Sequence, residues 1–201
     1  MTSTRFFAIL PAAGRSARMG RPKLLLPWQG RTIWQHVLAA WTNTTCDLKV
    51  AAVVHPDDAE VAEQARAAGV DVVQPVNAPE DMKASIRLGL AHLRAKYSPA
   101  DDDAWLVAPA DMPRLRSAII ETVMTCYDPR HPMVIVPEHR GKRGHPVLFP
   151  WALAAEVDKL ATNEGLNRLV DRSNVSRLPL LDNAILTDLD TPEDYQKLTD
   201  G

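Results

Sequence analysis

Four cations lie close together after a short apolar run near the start of the chain. The run is Phe6–Leu10, and the cations that follow it are Arg15, Arg18, Arg21 and Lys23, with no acidic residue among them. An apolar run of this length that ends in turn residues predicts a buried strand followed by a loop. Backbone N–H groups and positive side chains at such a position bind phosphate oxygens. The loop is therefore a candidate phosphate site, and a solvated basic loop is the alternative.

The same loop lacks two common phosphate-binding fingerprints. A dinucleotide fingerprint needs the three glycines of GxGxxG, and this loop has only Gly14 and Gly20. A P-loop needs Gly-Lys-Ser/Thr at the start of a helix, which the loop does not contain. Its place directly after the first strand is nevertheless the phosphate position of many α/β folds.

Three aspartates in the second half of the chain are candidate metal ligands. Asp111 follows the predicted strand Ala104–Ala108 and lies between two prolines, which stiffen the backbone around its carboxylate. Asp188 and Asp190 are two residues apart at the end of the predicted strand Ile185–Leu189, so they would share one face of it. Carboxylates together with substrate phosphates are the ligands that Mg²⁺ prefers. Helix capping is the alternative for Asp111, and more strongly for Asp190.

Two further segments contain residues that could meet a ligand. Gly144 would allow close backbone approach, and His145 could donate to a phosphate or bind a ring, although a single histidine is more often structural. The run Asp101–Asp103 is expected to lie in solvent in the turn before a strand, with a metal cluster as the less favoured alternative.

Strand and helix patterns alternate through the first two thirds of the chain. This alternation predicts an α/β fold with a mostly parallel, doubly wound sheet and helices on both faces, which binds ligands beyond the carboxyl ends of its strands. Strands are predicted over residues 6–10, 49–54, 70–73, 104–108, 133–136, 146–149, 175–181 and 185–189. Helices are predicted over residues 32–41, 55–69, 82–97, 116–126, 151–160, 165–172 and 191–198. The polar segment Glu138–Gly144 predicts an inserted hairpin, and Pro179 predicts an edge strand.

Length and composition limit the class of protein. A chain of 201 residues that is 46% hydrophobic and 24% charged is expected to form one soluble domain over residues 1–201. Its net charge of −2 gives no basic field for nucleic acid. Cys46 and Cys126 lie outside any CxxC motif, which argues against a disulfide-rich secreted fold and a cysteine zinc site. No signal peptide pattern is present and no apolar run approaches the roughly 20 residues of a membrane span, so a cytoplasmic protein is expected.

The segments singled out above, taken in chain order, resemble those of the MobA/MocA-like nucleotidyltransferases. Residues 11–27, PAAGRSARMGRPKLLLP, resemble the family signature LAAGxSxRMGxxKxLLP, and Asp111-Met-Pro113 resembles its metal-binding segment DMP. Further similar segments are residues 82–90 with GMxxS…GL, residues 143–146 with RGHP, and residues 188–194 with DIDTPED. The Ala-Ala-Gly form and the RGHP segment are more similar to the molybdenum cofactor cytidylyltransferase branch than to the guanylyltransferase branch.

This resemblance implies a glycosyltransferase-A-like fold of the nucleotide-diphospho-sugar transferase type. It also implies Mg²⁺-dependent transfer of a nucleotidyl group from an NTP, CTP before GTP, to a phosphorylated acceptor, with release of pyrophosphate. The implied acceptor is molybdopterin cofactor, and a molybdoenzyme or its chaperone is the implied protein partner. The implied nucleotide-binding residues are Ala12, Ala13, Gly14, Arg15, Arg18, Lys23 and Ser85. The implied catalytic residues are Arg18, Lys23 and Asp111; Asp111, Asp188 and Asp190 would bind the metal, and Gly144 and His145 the acceptor.

Two residues depart from the family pattern. Pro11 replaces the usual leucine and removes an N–H at the end of the first strand. Asp81 replaces the usual glycine before Met82, where a carboxylate would lie close to the nucleotide or force the backbone away. Asp81 favours one alternative, a non-catalytic nucleotide- or pterin-binding module of the same fold. A sugar-phosphate nucleotidyltransferase is the alternative among enzymes.

Overall fold

A computed structural model describes residues 4–15 and 22–200 of the chain. Its strands are β1 (Phe6–Ala12), β2 (Pro27–Trp28), β3 (Arg31–Thr32), β4 (Leu48–Val54), β5 (Asp71–Val73), β6 (Ala104–Val107), β7 (Val134–His139), β8 (Lys142–Arg143), β9 (Val147–Pro150) and β10 (Val175–Pro179). Its α-helices are α1 (Ile33–Thr42), α2 (Ala59–Ala67), α3 (Met82–Tyr97), α4 (Ser117–Thr125), α5 (Leu166–Arg172) and α6 (Pro192–Thr199). Short 3-10 helices cover Lys23–Leu25, Trp151–Lys159 and Asn183–Leu186.

The main sheet is mostly parallel, as the alternation of patterns predicts. Its strand order is β10-β7-β9-β6-β1-β4-β5, and β8 pairs with β7. Strand β1 is parallel to both β4 and β6, whereas β9 is antiparallel to both of its neighbours. The carboxyl ends of β1, β4 and β6 therefore meet at one edge of the sheet, which is the edge where α/β folds bind ligands.

Helices cover both faces of the sheet because side chains of a strand alternate between its faces. In β1, Ala8 and Leu10 belong to one buried layer with α1, α2 and α4, and Phe7 and Ile9 belong to the other with α3 and α5. Helix α3 lies very close to the sheet at Gly89, where an added Cβ would lie 2.7 Å from Cγ2 of Ile9. Glycine at this position lets the start of α3 reach the ligand edge of the sheet.

The inserted hairpin and the edge strand are present as predicted. Strand β8 pairs antiparallel with the end of β7, and the turn between them contains Gly141 with a φ of 80°. Strand β10 lies at one end of the strand order, so Pro179 costs the sheet no interior hydrogen bond.

Three predicted elements are wrong in type or extent. The segment Ile185–Leu189 contains no strand, because its first residues end the 3-10 helix Asn183–Leu186 and its apolar side chains fill the core from there. The predicted helix over residues 151–160 is the 3-10 helix Trp151–Lys159. Helix α2 begins only at Ala59, since residues 55–58 form a turn in which the N–H of Asp58 donates to the carbonyl of His55 at 3.1 Å.

The prediction that Asp101–Asp103 lies in solvent is wrong for its last residue. Asp103 is only 2% exposed, and its carboxylate accepts from the backbone N–H groups of Arg5 and Ala100, both at 2.8 Å. The guanidinium of Arg5 adds two more hydrogen bonds, at 3.1 and 2.7 Å. Asp103 therefore ties the start of β6 to the residue before β1, and its oxygens are occupied by protein donors.

Candidate active site

Two adjoining cavities open at the carboxyl ends of β1, β4 and β6. One, of about 340 Å³, we call the β4 cavity; it is lined by Ala13, Gly14, Arg15, His55, Asp81, Met82, Ser85 and neighbouring residues. The other, of about 280 Å³, we call the β6 cavity; it is lined by Ala12, Gly14, Lys23, Met82, Asp111, Asp188, Asp190 and neighbouring residues. Pro11, Gly14 and Met82 line both cavities, so a single elongated ligand could occupy the two together.

Lys23 connects two of the three predicted metal ligands in the β6 cavity. Its ammonium donates to Oδ2 of Asp111 and to Oδ1 of Asp190, the latter at 3.3 Å. Asp111 is 7% exposed, and its Oδ1 is buried with no hydrogen-bond partner within residues 4–15 and 22–200. Burial raises the pKa of Asp111, Lys23 lowers it, and nearby Asp188 raises it further. The cavity is thus lined by a buried carboxylate, one oxygen of which has no hydrogen-bond partner in the described residues.

The chemistry of this donor set fits a divalent cation completed by substrate phosphates. Carboxylate oxygens are hard ligands, and Mg²⁺ usually takes one or two of them with phosphates and water. In the described part of the chain, no group of three or more acidic, histidine or cysteine side chains is arranged to hold a metal by itself. Asp111, Asp188 and Asp190 would therefore hold such an ion only in part, which is how Mg²⁺ is commonly bound beside a nucleotide.

Asp188 and Asp190 lie in the site although the strand predicted to carry them is absent. Between them, Leu189 is fully buried, and its N–H donates to the carbonyl of Asp111 at 3.0 Å. Neither Asp111 nor Asp190 caps a helix through its side chain, since α6 is capped by Thr191 in a capping box with Asp194. The three aspartates thus line one cavity, although the strand-face argument for Asp188 and Asp190 is wrong.

The β4 cavity accommodates both residues that depart from the family pattern. Asp81 is the N-cap of α3, and its carboxylate accepts from the N–H of Ala84 at 2.6 Å. The backbone there is extended, with a φ of −150°, which is a conformation that any residue adopts. Pro11 lies beyond Ile9, the last residue of β1 that pairs with β6, so its missing N–H breaks no bond between these strands.

Arg15 and His55 contact each other at the wall of the β4 cavity. Nε of Arg15 lies 3.1 Å from Nε2 of His55, and the guanidinium also pairs with the carboxylate of Asp57. His55 is 5% exposed, and its Nδ1 lies 3.1 Å from the backbone nitrogen of Asp57. His55 is a site residue that the sequence patterns do not single out, although its place directly after β4 at the ligand edge is a usable signal.

Gly144 and His145 lie beside the β6 cavity and are not among its described lining residues. The N–H of His145 donates to the carbonyl of Ile185 at 2.9 Å, and a Cβ on Gly144 would lie 2.6 Å from that same oxygen. Burial lowers the pKa of His145, while the carbonyl of Val107 and the charge of Asp188 raise it. The hairpin that carries Gly144 therefore packs against the segment that leads to Asp188.

The remaining predicted residues divide between the two cavities. Ala12 and Lys23 line the β6 cavity, Ala13, Arg15 and Ser85 line the β4 cavity, and Gly14 lines both. Arg18 lies outside the described residues.

No helix in the described part of the chain is long and apolar enough to cross a membrane.

A comparison of the sequence with known protein families identifies the family of this chain. The description "MobA-like NTP transferase domain" matches residues 8–177, which include most of β1, the lining of the β4 cavity and the hairpin, whereas Asp188 and Asp190 of the β6 cavity lie beyond the matched range. The chain belongs to this family. The family membership agrees with the sequence resemblance, and the fold is that of the nucleotide-diphospho-sugar transferases found among its structural neighbours.

Three curated relatives show the range of named activities around this chain. It is 33% identical over 171 residues to the bifunctional enzyme IspD/IspF of Paramagnetospirillum magneticum, covering 84% of this chain and 39% of that protein. It is 27% identical over 140 residues to a probable molybdenum cofactor guanylyltransferase of Bacillus anthracis, covering 65% and 63%. It is 24% identical over 191 residues to the molybdenum cofactor cytidylyltransferase of Escherichia coli, covering 93% and 92%. The chain thus spans less than two thirds of the first two relatives.

A solved structure matches the whole chain. Rv0371c of Mycobacterium tuberculosis superposes with a TM-score of 0.81 at 27% identity, and the match covers 100% of both chains. A second structure of that protein, described as a complex with manganese, superposes with a TM-score of 0.77 at 25% identity, covering 98% of this chain and 100% of that one.

Proposed function

We propose that this protein transfers a nucleotidyl group from an NTP to a phosphorylated small molecule and releases pyrophosphate, and that residues 1–201 act as one domain. The observation that carries the proposal is the buried Asp111 paired with Lys23 in a cavity that adjoins the loop after β1. A cation and a partly unpartnered carboxylate, placed beside backbone N–H groups, suit a triphosphate with a divalent ion.

The two cavities divide the nucleotide between them in this proposal. The nucleoside lies in the β4 cavity against Ala13, Arg15 and Ser85, and the phosphates extend past Ala12 and Gly14 into the β6 cavity. Lys23, together with Arg18 from earlier in the same sequence segment, balances phosphate charge. Asp111, with Asp188 and Asp190, would hold Mg²⁺, which when bound supplies charge neutralisation and polarises a phosphoryl oxygen.

The reaction needs positioning and charge stabilisation rather than a covalent enzyme intermediate. An oxygen of the acceptor phosphate attacks the α-phosphorus of the NTP. The bond between that phosphorus and the oxygen bridging to the β-phosphate breaks, and pyrophosphate leaves with the electron pair. Lys23 stabilises the negative charge that grows on the leaving group.

For the finer specificity we propose CTP as the favoured nucleotide and molybdopterin cofactor as the acceptor, bound near Gly144 and His145. The RGHP segment and the end-to-end match to the Escherichia coli cytidylyltransferase support this choice. The higher identity to IspD/IspF favours a second candidate, the same transfer onto another phosphorylated acceptor such as a sugar phosphate. A molybdoenzyme or its chaperone would receive the product of the first candidate.

A pyrophosphate-release assay tests the proposal. CTP, GTP, ATP and UTP are each supplied with Mg²⁺ and with molybdopterin cofactor or a panel of sugar phosphates. We expect release with CTP and molybdopterin cofactor, and loss of release on removal of Mg²⁺ with EDTA. Nucleotide-dependent stabilisation against heat without any turnover would instead identify a binding module, the alternative whose main support, Asp81, is explained by its capping of α3.

A further inference from the structure

His55 faces more hydrogen-bond donors than its imidazole can accept from. The backbone N–H of Asp57 lies 3.1 Å from Nδ1, and the Nε–H of Arg15 lies 3.1 Å from Nε2. A neutral imidazole has one acceptor nitrogen and one N–H, and an imidazolium has no acceptor. One of the two contacts therefore brings two donors together.

The contact with the backbone is the one that the fold fixes. The turn around His55 is held by two donors to its carbonyl, the N–H of Asp58 at 3.1 Å and Nε2 of Gln74, also at 3.1 Å. Arg15, by contrast, is a long side chain that is 65% exposed and also pairs with exposed Asp57. Because the tautomer of a histidine is set by its fixed neighbours, Nδ1 accepts from Asp57 and Nε2 bears the proton.

The N–H at Nε2 then needs an acceptor that the observed position of Arg15 does not provide. The side chain of His55 is 6% exposed, so bulk water is a poor substitute, and a buried donor without a partner costs stability. His55 lines the β4 cavity, which also contains Ser85 and adjoins Gly14. A ligand in that cavity is the available source of an acceptor.

We propose that Nε2–H of His55 donates a hydrogen bond to a nucleoside oxygen, a ribose hydroxyl or a base carbonyl, once Arg15 turns away. This inference rests on the proposed function, because it takes the β4 cavity to hold the nucleoside. The proposed function assigns the phosphates to the β6 cavity, where Lys23 and the carboxylate of Asp111 that would hold a metal ion lie, so the acceptor for His55 is an oxygen of the nucleoside. His55 thereby contacts the nucleoside directly, and Arg15, once it has left His55, stays at the wall of the β4 cavity against the same nucleoside.

Paired substitutions separate a donor role from a packing role. We expect His55→Ala to weaken CTP binding about tenfold, at the strong end of one hydrogen bond. We expect His55→Gln to bind within about threefold of wild type, because the glutamine amide can donate from nearly the same place. Calorimetry with inorganic tripolyphosphate, which has no nucleoside, should give equal affinity for all three proteins. His131→Ala, at an 81% exposed histidine, is the matched control and should bind CTP as wild type does.

Two further measurements identify the tautomer and the oxygen. The ¹⁵N shifts of the imidazole, assigned by their loss in His55→Gln, should report a protonated Nε2 and should move when CTP is added. With 2′,3′-dideoxy-CTP, the tenfold effect of His55→Ala will vanish if the acceptor is a ribose hydroxyl and persist if it is the base carbonyl.

Three results would overturn the inference while leaving the proposed function intact. They are a protonated Nδ1 in the free protein, CTP binding by His55→Ala equal to that of wild type, and equal losses for CTP and tripolyphosphate. Failure of the wild-type protein to bind any NTP would instead overturn the proposed function. That result is measured on the wild-type protein alone, without the His55 variants.

Discussion

Two buried aspartates flank strand β6, and their carboxylates are used in opposite ways. Asp103, before the strand, has both oxygens occupied by N–H groups of Arg5 and Ala100. Asp111, after the strand, has one oxygen on Lys23 and the other without a partner in the described residues. A buried carboxylate whose oxygens are satisfied stabilises a fold, whereas a buried oxygen without a partner costs stability and is a candidate contact for a ligand. Of the aspartates at the two ends of β6, Asp103 therefore stabilises the fold and Asp111 belongs to the candidate site.

The largest expected effect comes from replacing the open carboxylate. Asp111→Asn should lower kcat/KM for pyrophosphate release about a thousandfold, the upper range for losing one preorganised electrostatic group. Its free energy of unfolding should stay within about 1 kcal/mol of wild type, because burial already disfavours the charge of Asp111. Steady-state kinetics and urea unfolding of the same preparation provide the two measurements.

The control for this prediction is Asp200→Asn, an exposed aspartate of the C-terminal segment, which should leave kinetics and stability unchanged. Wild-type turnover by Asp111→Asn would remove the aspartate from the proposed site. Loss of folding by that variant would show that Asp111, like Asp103, is needed for the fold, and the proposed difference between the two aspartates would be wrong.

The next largest effect should fall on stability alone. Asp103→Ala should lower the free energy of unfolding by about 3 kcal/mol, since it leaves the backbone N–H groups of Arg5 and Ala100 without their acceptor. The partly exposed guanidinium of Arg5 keeps the loss at the low end for a buried pair. Urea unfolding at pH 7 measures the change.

Asp102→Ala is the matched control, because Asp102 is exposed in the same turn and should cost less than about 0.5 kcal/mol. Equal stability of the two alanine variants would contradict the structural role of Asp103. The kcat/KM of folded Asp103→Ala should remain near that of wild type.

The same contrast explains how much could be predicted from the sequence. Asp111 and the cationic loop that contains Lys23 could be assigned to one site because each follows a predicted strand, and the ends of parallel strands meet at one sheet edge. The ion pair between Lys23 and Asp111 could not be predicted in this way. Asp103 could not be distinguished from Asp101 and Asp102, because its burial depends on Arg5, which is 98 residues away in sequence. That contact requires the register of β1 against β6, which local patterns do not specify.

The errors elsewhere have the same origin. A short apolar run such as Ile185–Leu189 fits a buried strand and a buried 3-10 helix equally well, and only packing decides between them. The sequence predicts that His55 begins a helix, because Pro56 and the acids after it suit a helix start. The turn that instead places its imidazole in the β4 cavity is stabilised by Gln74, a contact between separate segments.

A smaller effect is expected where the hairpin meets the segment that carries the cavity carboxylates. In Gly144→Ala, the new Cβ would lie 2.6 Å from the carbonyl of Ile185, so that segment must shift. We expect a loss of about 2 kcal/mol in stability, a usual cost of overpacking. We also expect about tenfold lower kcat/KM, because Asp188 and Asp190 move with the segment relative to Asp111.

Gly165→Ala serves as the control, since an added Cβ there has no neighbour within 4 Å. Full activity together with lost stability in Gly144→Ala would show that the segment can move without disturbing the site. The placement of Asp188 beside Asp111 would then have no bearing on the reaction.

The smallest expected effect tests whether a third carboxylate stabilises the fold as that of Asp103 does. Asp71, at the start of β5, accepts from Lys96 at 2.6 Å, from Tyr97 at 2.9 Å and from His92 at 3.1 Å. Burial raises the pKa of Asp71, but these hydrogen bonds outweigh it and hold the pKa below the ordinary 3.8. A lowered folded-state pKa contributes stability that is present above pH 3.8 and is lost as pH falls through the lowered value.

Asp71→Asn should therefore cost about 1 kcal/mol at pH 7, and the difference from wild type should shrink as the pH is lowered below 3.8. Urea unfolding at pH 7, 4 and 3 measures it, with Asp101→Asn, an exposed aspartate, as the control. A cost that does not change with pH would mean that the charge of Asp71 is not what its three partners stabilise. A cost that vanishes in acid would place Asp71 with Asp103, as a carboxylate whose oxygens serve the fold, and leave Asp111 as the contrasting case.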